Sequence, residues 1–347
     1  MEKPKVGHGS RSTVQQHLIA EDGAGQRLDK TLSGLLPAVP RARIFRLIRK
    51  GEVRVNGKRA RPEQRLAAGD RLRIPPVHER SATAQTLASG GVARVPPALI
   101  GRVTAAIIHE DQRLLVLDKP SGLAVHGGSG LTYGVIEALR AARPGETLEL
   151  AHRLDRDTSG ILMIARKPAA LRTLHALLRE GGVHKNYLAL VVGRWELGRK
   201  LINAPLQTDA RVSGERTVRV GEGGKSARTQ FRLVQQFGAR ASLVEATLET
   251  GRTHQIRVHA AYCGHPVAGD VKYGDAAANA ALRVLGLQRM FLHAHSVSFD
   301  WPQGGQLSIS APLPAELKAV LDELLNIKSG PGLKAGRSRR SAGSRRA

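Results

Sequence analysis

The sequence predicts an α+β protein in two parts: a small helix-helix-hairpin module, then a larger domain with a mainly antiparallel sheet. Three observations carry this: predicted strands outnumber helices, several strands follow one another across short turns, and strand and helix do not alternate regularly as a doubly wound sheet requires. With 347 residues the chain has room for two domains and for a sizeable core in the larger one.

Residues 1–24 are polar, contain glycine and show no periodicity, so they are expected to be flexible. The small module, residues 25–76, opens with a helix from Arg27 towards Pro37. A second helix follows, from Pro40-Arg41 to Lys50, closed by Gly51. On that helix Ile44, Leu47 and Ile48 share one face and Arg43, Arg46 and Lys50 another. Asn56-Gly57 between Val53-Arg54-Val55 and Lys58-Arg59-Ala60 is a hairpin signal, and 71–74 reads as a further strand. Residues 77–101, rich in Ala, Ser, Gly and Pro, read as an extended linker.

In the larger domain, 102–327, strands are expected at 105–108, 114–117, 161–165, 187–192, 242–249 and 291–299. Helices are expected at 132–143, 170–179, 253–262 and 315–327, the last with Leu317, Leu321 and Leu324-Leu325 on one stripe. The step Thr158-Ser159-Gly160 reads as a turn leading into the apolar run 161–165. Residues 328–347 carry seven Lys/Arg and no acid among many Gly and Ser, which predicts a disordered basic tail.

Charge narrows the partners. Lys and Arg number 54 against 29 acids, a net charge of +25. Such an excess attracts polyanions and releases their counterions on binding, so nucleic acid leads and an anionic membrane surface comes second. No apolar run is long enough to span a bilayer and no N-terminal signal pattern is present, so no membrane role is expected. The single cysteine, Cys263, excludes an intrachain disulfide and fits a reducing cytoplasm. Residues 26–75 hold 14 Lys/Arg against 4 acids, concentrated on the second helix and the adjoining hairpin. Arg43, Arg46, Lys50, Lys58 and Arg59 are therefore read as phosphate-binding rather than as a merely solvated face.

The most informative stretch is HRLDRDTSG, His152 to Gly160, in which Asp155 stands between Arg153 and Arg156. Positive charge beside a carboxyl favours its ionised form, which suits a nucleophile or counter-ion better than a general acid. Taken alone, the stretch also fits a charged turn with Asp157 capping it locally. Three other runs accompany it: DKPSGLAVHGG from Asp118, Lys185-Asn186-Tyr187 at the head of a strand, and GRTHQIRVH from Gly251. A metal site at His254, His259, Cys263 and His265 lacks an acid and suitable spacing, so no metal is expected. Gly127-Gly128-Ser129-Gly130 lacks the Lys-Ser/Thr pair of a phosphate loop.

Together these runs, with KNYLALV, GRTHQIRVHAAYCGHPVAGDVKYG and FLHAHSVSF, resemble the RluA-type pseudouridine synthases from about Arg102 to Ile327. RLDKTL, the basic RIFRLIRKGEVRVNGKR block and GDRLRI resemble an S4-like RNA-binding domain in front of them. The HGGSGLTYGVIEALRAARP stretch and that front domain point to the RluC-like members, which act on 23S rRNA of the bacterial large subunit.

The resemblance implies an isomerase that needs no cofactor, because the glycosidic bond is broken and remade through carbon without redox change. It implies Asp155, Tyr187 and Arg257 as catalytic residues. Asp155 would attack the ribose or the base, or abstract a ribose proton; these alternatives stay open. Arg257 would pair with Asp155, and Tyr187 would stack on the target uracil and assist proton transfer. Arg153 would hold the flipped state, with His152 and Arg252 also at the substrate, His152 as a packing or hydrogen-bonding group. The expected partner is 23S rRNA or a large-subunit assembly intermediate, engaged by a cytoplasmic monomer. A non-catalytic rRNA-binding assembly factor is the alternative.

Overall fold

Among the residues that the computed structural model describes (14–36, 39, 41–76, 95–127, 133–209 and 217–329), two compact units are found, each presented by itself. The expected flexible start up to residue 13, the linker 77–94, the glycine run after Gly127 and the tail from 330 lie outside the described residues.

In the first unit, α1 (Leu28–Leu35) and α2 (Arg41–Lys50) cover a four-stranded sheet, ordered β1 (Gln15–Leu18), β4 (Arg71–Ile74), β2 (Arg54–Val55), β3 (Lys58–Arg59). Leu28, Leu32, Ile44, Leu47, Ile48, Val53, Leu66, Leu72 and Ile74 form one core, so the apolar face of α2 is the one its spacing predicts. Asn56 and Gly57 have φ of 50° and 76°, the paired positive values that a two-residue hairpin with the right twist requires. Strand β1 corrects the expectation that everything before residue 25 is flexible. Its four residues are all exposed and it is held by antiparallel pairing with β4, so no apolar alternation announces it. Residues 97–101, assigned to the linker, belong to helix α3 (Pro97–Ala105).

The second unit is built on a ten-stranded sheet. Along its main path the order is β10 (Lys200–Asn203), β13 (Arg228–Phe237), β14 (Ala241–Leu248), β9 (His184–Val192), β15 (Leu292–Asp300), β8 (Ser159–Ala165), β6 (Leu114–Lys119), β5 (Ile107–Glu110). Off that path, β16 (Gln306–Ser310) pairs with β15, and β7 (Glu149–Leu150) with β8. Every pairing is antiparallel except β15 with β8, which confirms the mainly antiparallel α+β architecture. A separate two-stranded ribbon joins β11 (Leu206–Thr208) to β12 (Val218–Val220). Helices α4 (Val135–Ala142), α5 (Pro168–Glu180), α6 (Gln255–Tyr262), α7 (Ala276–Val284) and α8 (Ala315–Ser329) complete the unit. Leu317, Leu321 and Leu324 of α8, from the stripe read in the sequence, pack with Val320 on Leu190, Phe237, Leu243 and Phe291, and Leu325 is partly buried against them.

The exceptional parallel pairing explains one misreading. Ser159 and Gly160 are not a turn: they open β8 and pair with His293 and Ala294, and the turn lies at Arg156–Asp157. Gly160 sits at φ +103°, and a Cβ there would lie 2.2 Å from the Ala294 carbonyl oxygen. Only glycine lets the two backbones approach so closely in that conformation. The join is pinned by Ser159, whose hydroxyl donates to His293 Nδ1 (3.0 Å) and accepts from Arg289 Nη2 (3.1 Å). The other ring nitrogen of His293 donates to the Ala311 carbonyl, and burial holds this imidazole down to about 4, so it is neutral.

Candidate active site

Asp155 is presented by a loop that the end of β6 fastens from behind. Lys119 is fully buried, and its ammonium donates to the carbonyls of Pro120 (3.0 Å), Leu123 (2.9 Å) and Arg156 (3.0 Å). Burial pushes Lys119 down to about 7. The three carbonyls oppose that shift, because only the charged form has three N–H groups to satisfy them. Ser121 Oγ donates to the Asp157 carbonyl and Gly122 N–H to that of Arg156, so one loop is stitched to the other on both sides of the turn. The DKPSG run is thus a brace for the Asp155 loop and not a loose surface hairpin.

The arginine that meets Asp155 is neither of its sequence neighbours. Arg156 turns outward to Asp157, whereas Arg257 Nη1 on α6 donates to Asp155 Oδ2 at 3.1 Å. Arg257 is itself gripped by Asp270, with Nε to Oδ2 at 2.7 Å and Nη2 to Oδ1 at 2.9 Å, and its guanidinium lies 5.0 Å over the Tyr273 ring. Burial alone would raise the wholly buried Asp270 carboxyl; Arg257 and the N–H groups of Lys272 and Tyr273 outweigh it and lower it. Arg257 in turn is raised, since the two carboxylates overcome its desolvation. Asp270 and Tyr273 were missed as site residues. Their signal was the GDVKYG run, in which an acid and a tyrosine follow α6 closely.

Tyr187 stands on the central strand β9, where its neighbours on either side are Ala246 and Ala294. Those small side chains leave room for the phenol ring, which is 6 % exposed. Its hydroxyl has no hydrogen-bond partner among the described residues. Burial, then the nearby Asp155 charge, raise its pKa and keep it protonated.

Asp155, Tyr187 and Arg257 line one cleft of about 500 Å³, together with Arg153, His152 and Arg252. That volume lies within the range of sites that enclose a small ligand. All six residues expected in the larger domain are therefore brought together. Arg153 and Arg252 are exposed; Arg252 also lines an adjoining cavity walled by the β11–β12 ribbon. His152 Nε2 accepts from the Met163 N–H at 3.1 Å, and burial with Lys185 nearby holds the ring down to about 4. It is a neutral group anchoring the loop to β8, as expected of a packing residue and not of a proton carrier. Lys185, a cleft-lining cation, was not foreseen. His259 has both nitrogens occupied, Nδ1 by Thr229 Oγ1 and Nε2 by the Ala204 carbonyl, which makes it a core histidine.

The remaining expected substrate contacts lie in the first unit. Arg46, Lys50, Lys58 and Arg59 are exposed and Arg43 half-buried. Arg59 Nη2 bonds the carbonyls of Arg49 and Lys50, so the hairpin caps the C-terminal end of α2 and its cations continue those of the helix.

Comparison with known proteins agrees with this geometry. Residues 113–262 match the RNA pseudouridylate synthase family model and residues 26–72 the S4 domain model. The Ribosomal large subunit pseudouridine synthase C of Pasteurella multocida is 50% identical over 321 residues, covering 91% of this chain and 95% of the relative. The chain belongs to the RluA family of pseudouridine synthases. The Escherichia coli protein of the same name is 49% identical over 316 residues, 89% of this chain and 96% of that one. Among solved structures, Human RNA Pseudouridylate Synthase Domain Containing 4 superposes on this RluA-family chain with a TM-score of 0.54 at 27% identity, covering 66% of this chain and 96% of its own. Within this RluA-family enzyme the matched segment contains Lys119, Asp155, Tyr187 and Arg257 and stops before Asp270 and Tyr273.

Proposed function

We propose that this enzyme converts uridines of 23S rRNA, free or in an assembling large subunit, to pseudouridine, acting as a cytoplasmic monomer. The observation that carries the reading is the Asp155–Arg257 pair beside Tyr187 in a cleft edged by Arg153 and Arg252. The names of the relatives support the choice of RNA. In the reaction the bond from the ribose to N1 breaks and one to carbon five forms; carbon five loses a proton and N1 gains one, so nothing is oxidised. Asp155 is the reacting carboxylate, and Arg257 aims it through the bond from Nη1 to Oδ2. Tyr187 stacks on the uracil; a hydroxyl held protonated fits hydrogen-bond donation better than taking the proton from carbon five. The target must leave its stack at a cost of a few kcal/mol, and Arg153, exposed at the cleft, would occupy the gap. A purely binding role gives no account of a carboxylate set against a buried phenol in the same cleft.

The test is to incubate the protein with 23S rRNA transcript and map pseudouridine by carbodiimide adducts, with 16S rRNA as control. New sites confined to 23S rRNA are expected; none in either RNA would end the proposal. A second expectation concerns docking. Replacing Arg46, Lys50 and Lys58 together by Gln should weaken rRNA binding and reduce the slope of log K against log salt by about 2–3, at roughly 0.7–0.9 for each phosphate no longer neutralised. An unchanged slope would remove these side chains from the interface.

A further inference from the structure

His254 is the one residue of the cleft with a strained backbone. It precedes α6 at φ 56° and ψ 19°, a left-handed conformation that costs a non-glycine residue on the order of 1 kcal/mol or more. Its ring is 17 % exposed and lies between two partners. Nδ1 is 2.8 Å from the Tyr273 hydroxyl, and Nε2 is 3.8 Å from Asp155 Oδ2. The Tyr273 oxygen already accepts the N–H of Val218 at 3.1 Å. Among the described residues the acceptor within reach of its own proton is His254 Nδ1. Tyr273 therefore donates to Nδ1, and the proton of a neutral His254 is left on Nε2, facing Asp155. Burial lowers the ring's pKa against the pull of Asp155, with Arg257 and Lys272 adding to the lowering and Asp270 opposing it; this agrees with the neutral form.

Both donors address the same oxygen. Arg257 Nη1 and His254 Nε2 converge on Oδ2, and Oδ1 accepts no hydrogen bond among the described residues. The 3.8 Å separation is too long for a hydrogen bond, but such contacts shorten when substrate fills a site. We propose that His254 is a positioning residue for Asp155: with its tautomer fixed by Tyr273, it joins Arg257 in holding Oδ2 and leaves Oδ1 as the oxygen that meets the nucleotide. This rests on the reading of Asp155 as the reacting carboxylate.

The full-length protein tests it with three variants. His254→Gln keeps a donor near the Nε2 position but fits a left-handed backbone poorly; His254→Asn tolerates that backbone but is too short to reach Asp155. A positioning role predicts that kcat falls about 10- to 100-fold in His254→Asn, the scale of a lost bond to a charged group, and less in His254→Gln, although His254→Asn is the more heat-stable of the two. KM should stay within about threefold in both, since rRNA docking lies elsewhere. Tyr273→Phe keeps the ring against Arg257 and should lower kcat, while nitrogen-15 spectra of labelled histidine change from a pure Nε2–H form in the wild type to a mixture. Activity that follows stability instead, kcat unchanged in His254→Asn, or an Nδ1–H form in the wild type would each overturn the assignment. Should Asp155→Asn itself prove active, the reading of Asp155 fails and not merely the role of His254.

Discussion

Asp155→Asn is expected to bind 23S rRNA with near wild-type affinity and to form pseudouridine at a rate lower by on the order of 10⁴-fold or more, the scale seen when an enzyme loses its reacting group. The substitution removes one charge and almost no volume. Arg257 does not become a stranded buried cation, because its two bonds to Asp270 persist and the Asn oxygen can still accept from Nη1. The thermal midpoint should therefore move little. RNA affinity should hold or rise slightly, since a negative charge has left a cleft that receives a polyanion. Filter binding and carbodiimide mapping on one preparation would read both quantities. Product at a comparable rate would take Asp155 out of the chemistry.

Lys119→Met should unfold the catalytic unit more easily than any surface change. Methionine matches the length of the stem but takes the side-chain donor from the Pro120 and Leu123 carbonyls and one of two donors from that of Arg156, which keeps the Gly122 N–H. At about 1–3 kcal/mol for each orphaned group, partly relieved by relaxation, the expected loss is about 3–5 kcal/mol. For a unit of this size that is roughly 6–20 °C in Tm. Activity should fall beyond what stability explains, because the Arg156 carbonyl that Lys119 holds adjoins Asp155. Lys119→Arg should not rescue, since a planar guanidinium cannot reproduce three converging bonds around one nitrogen. A Tm within about 2 °C of the wild type would show that water or a shifted backbone satisfies those carbonyls.

Much of this architecture is legible in the residues. The face of α2, the Asn56-Gly57 turn, the apolar run of β8 and the stripe of α8 each follow from a periodicity or a turn chemistry that acts within a few positions. The unread parts depend on distant partners. β1 shows no alternation because its hold is main-chain pairing. Gly160 looked like a turn because what it accommodates, the Ala294 carbonyl, is far away along the chain. The local charges around Asp155 do not name its partner: its guanidinium comes from 102 positions further on, the Arg257 pairing that the family resemblance implies. Family motifs located Asp155, Tyr187 and Arg257, but not the buried clamp of Asp270 or the burial of Lys119, which composition leaves looking like an ordinary charged loop.

The close approach of Gly160 to Ala294 has a further bearing. Asp155 rides on the β8 side of the great sheet, whereas Tyr187, His254 and Arg257 ride on the β9–β14 side, and the two sides share a ladder only two residue pairs long. These groups thus stand on either side of that short ladder, and a single methyl at position 160 would press on the Ala294 carbonyl within it and spread them apart.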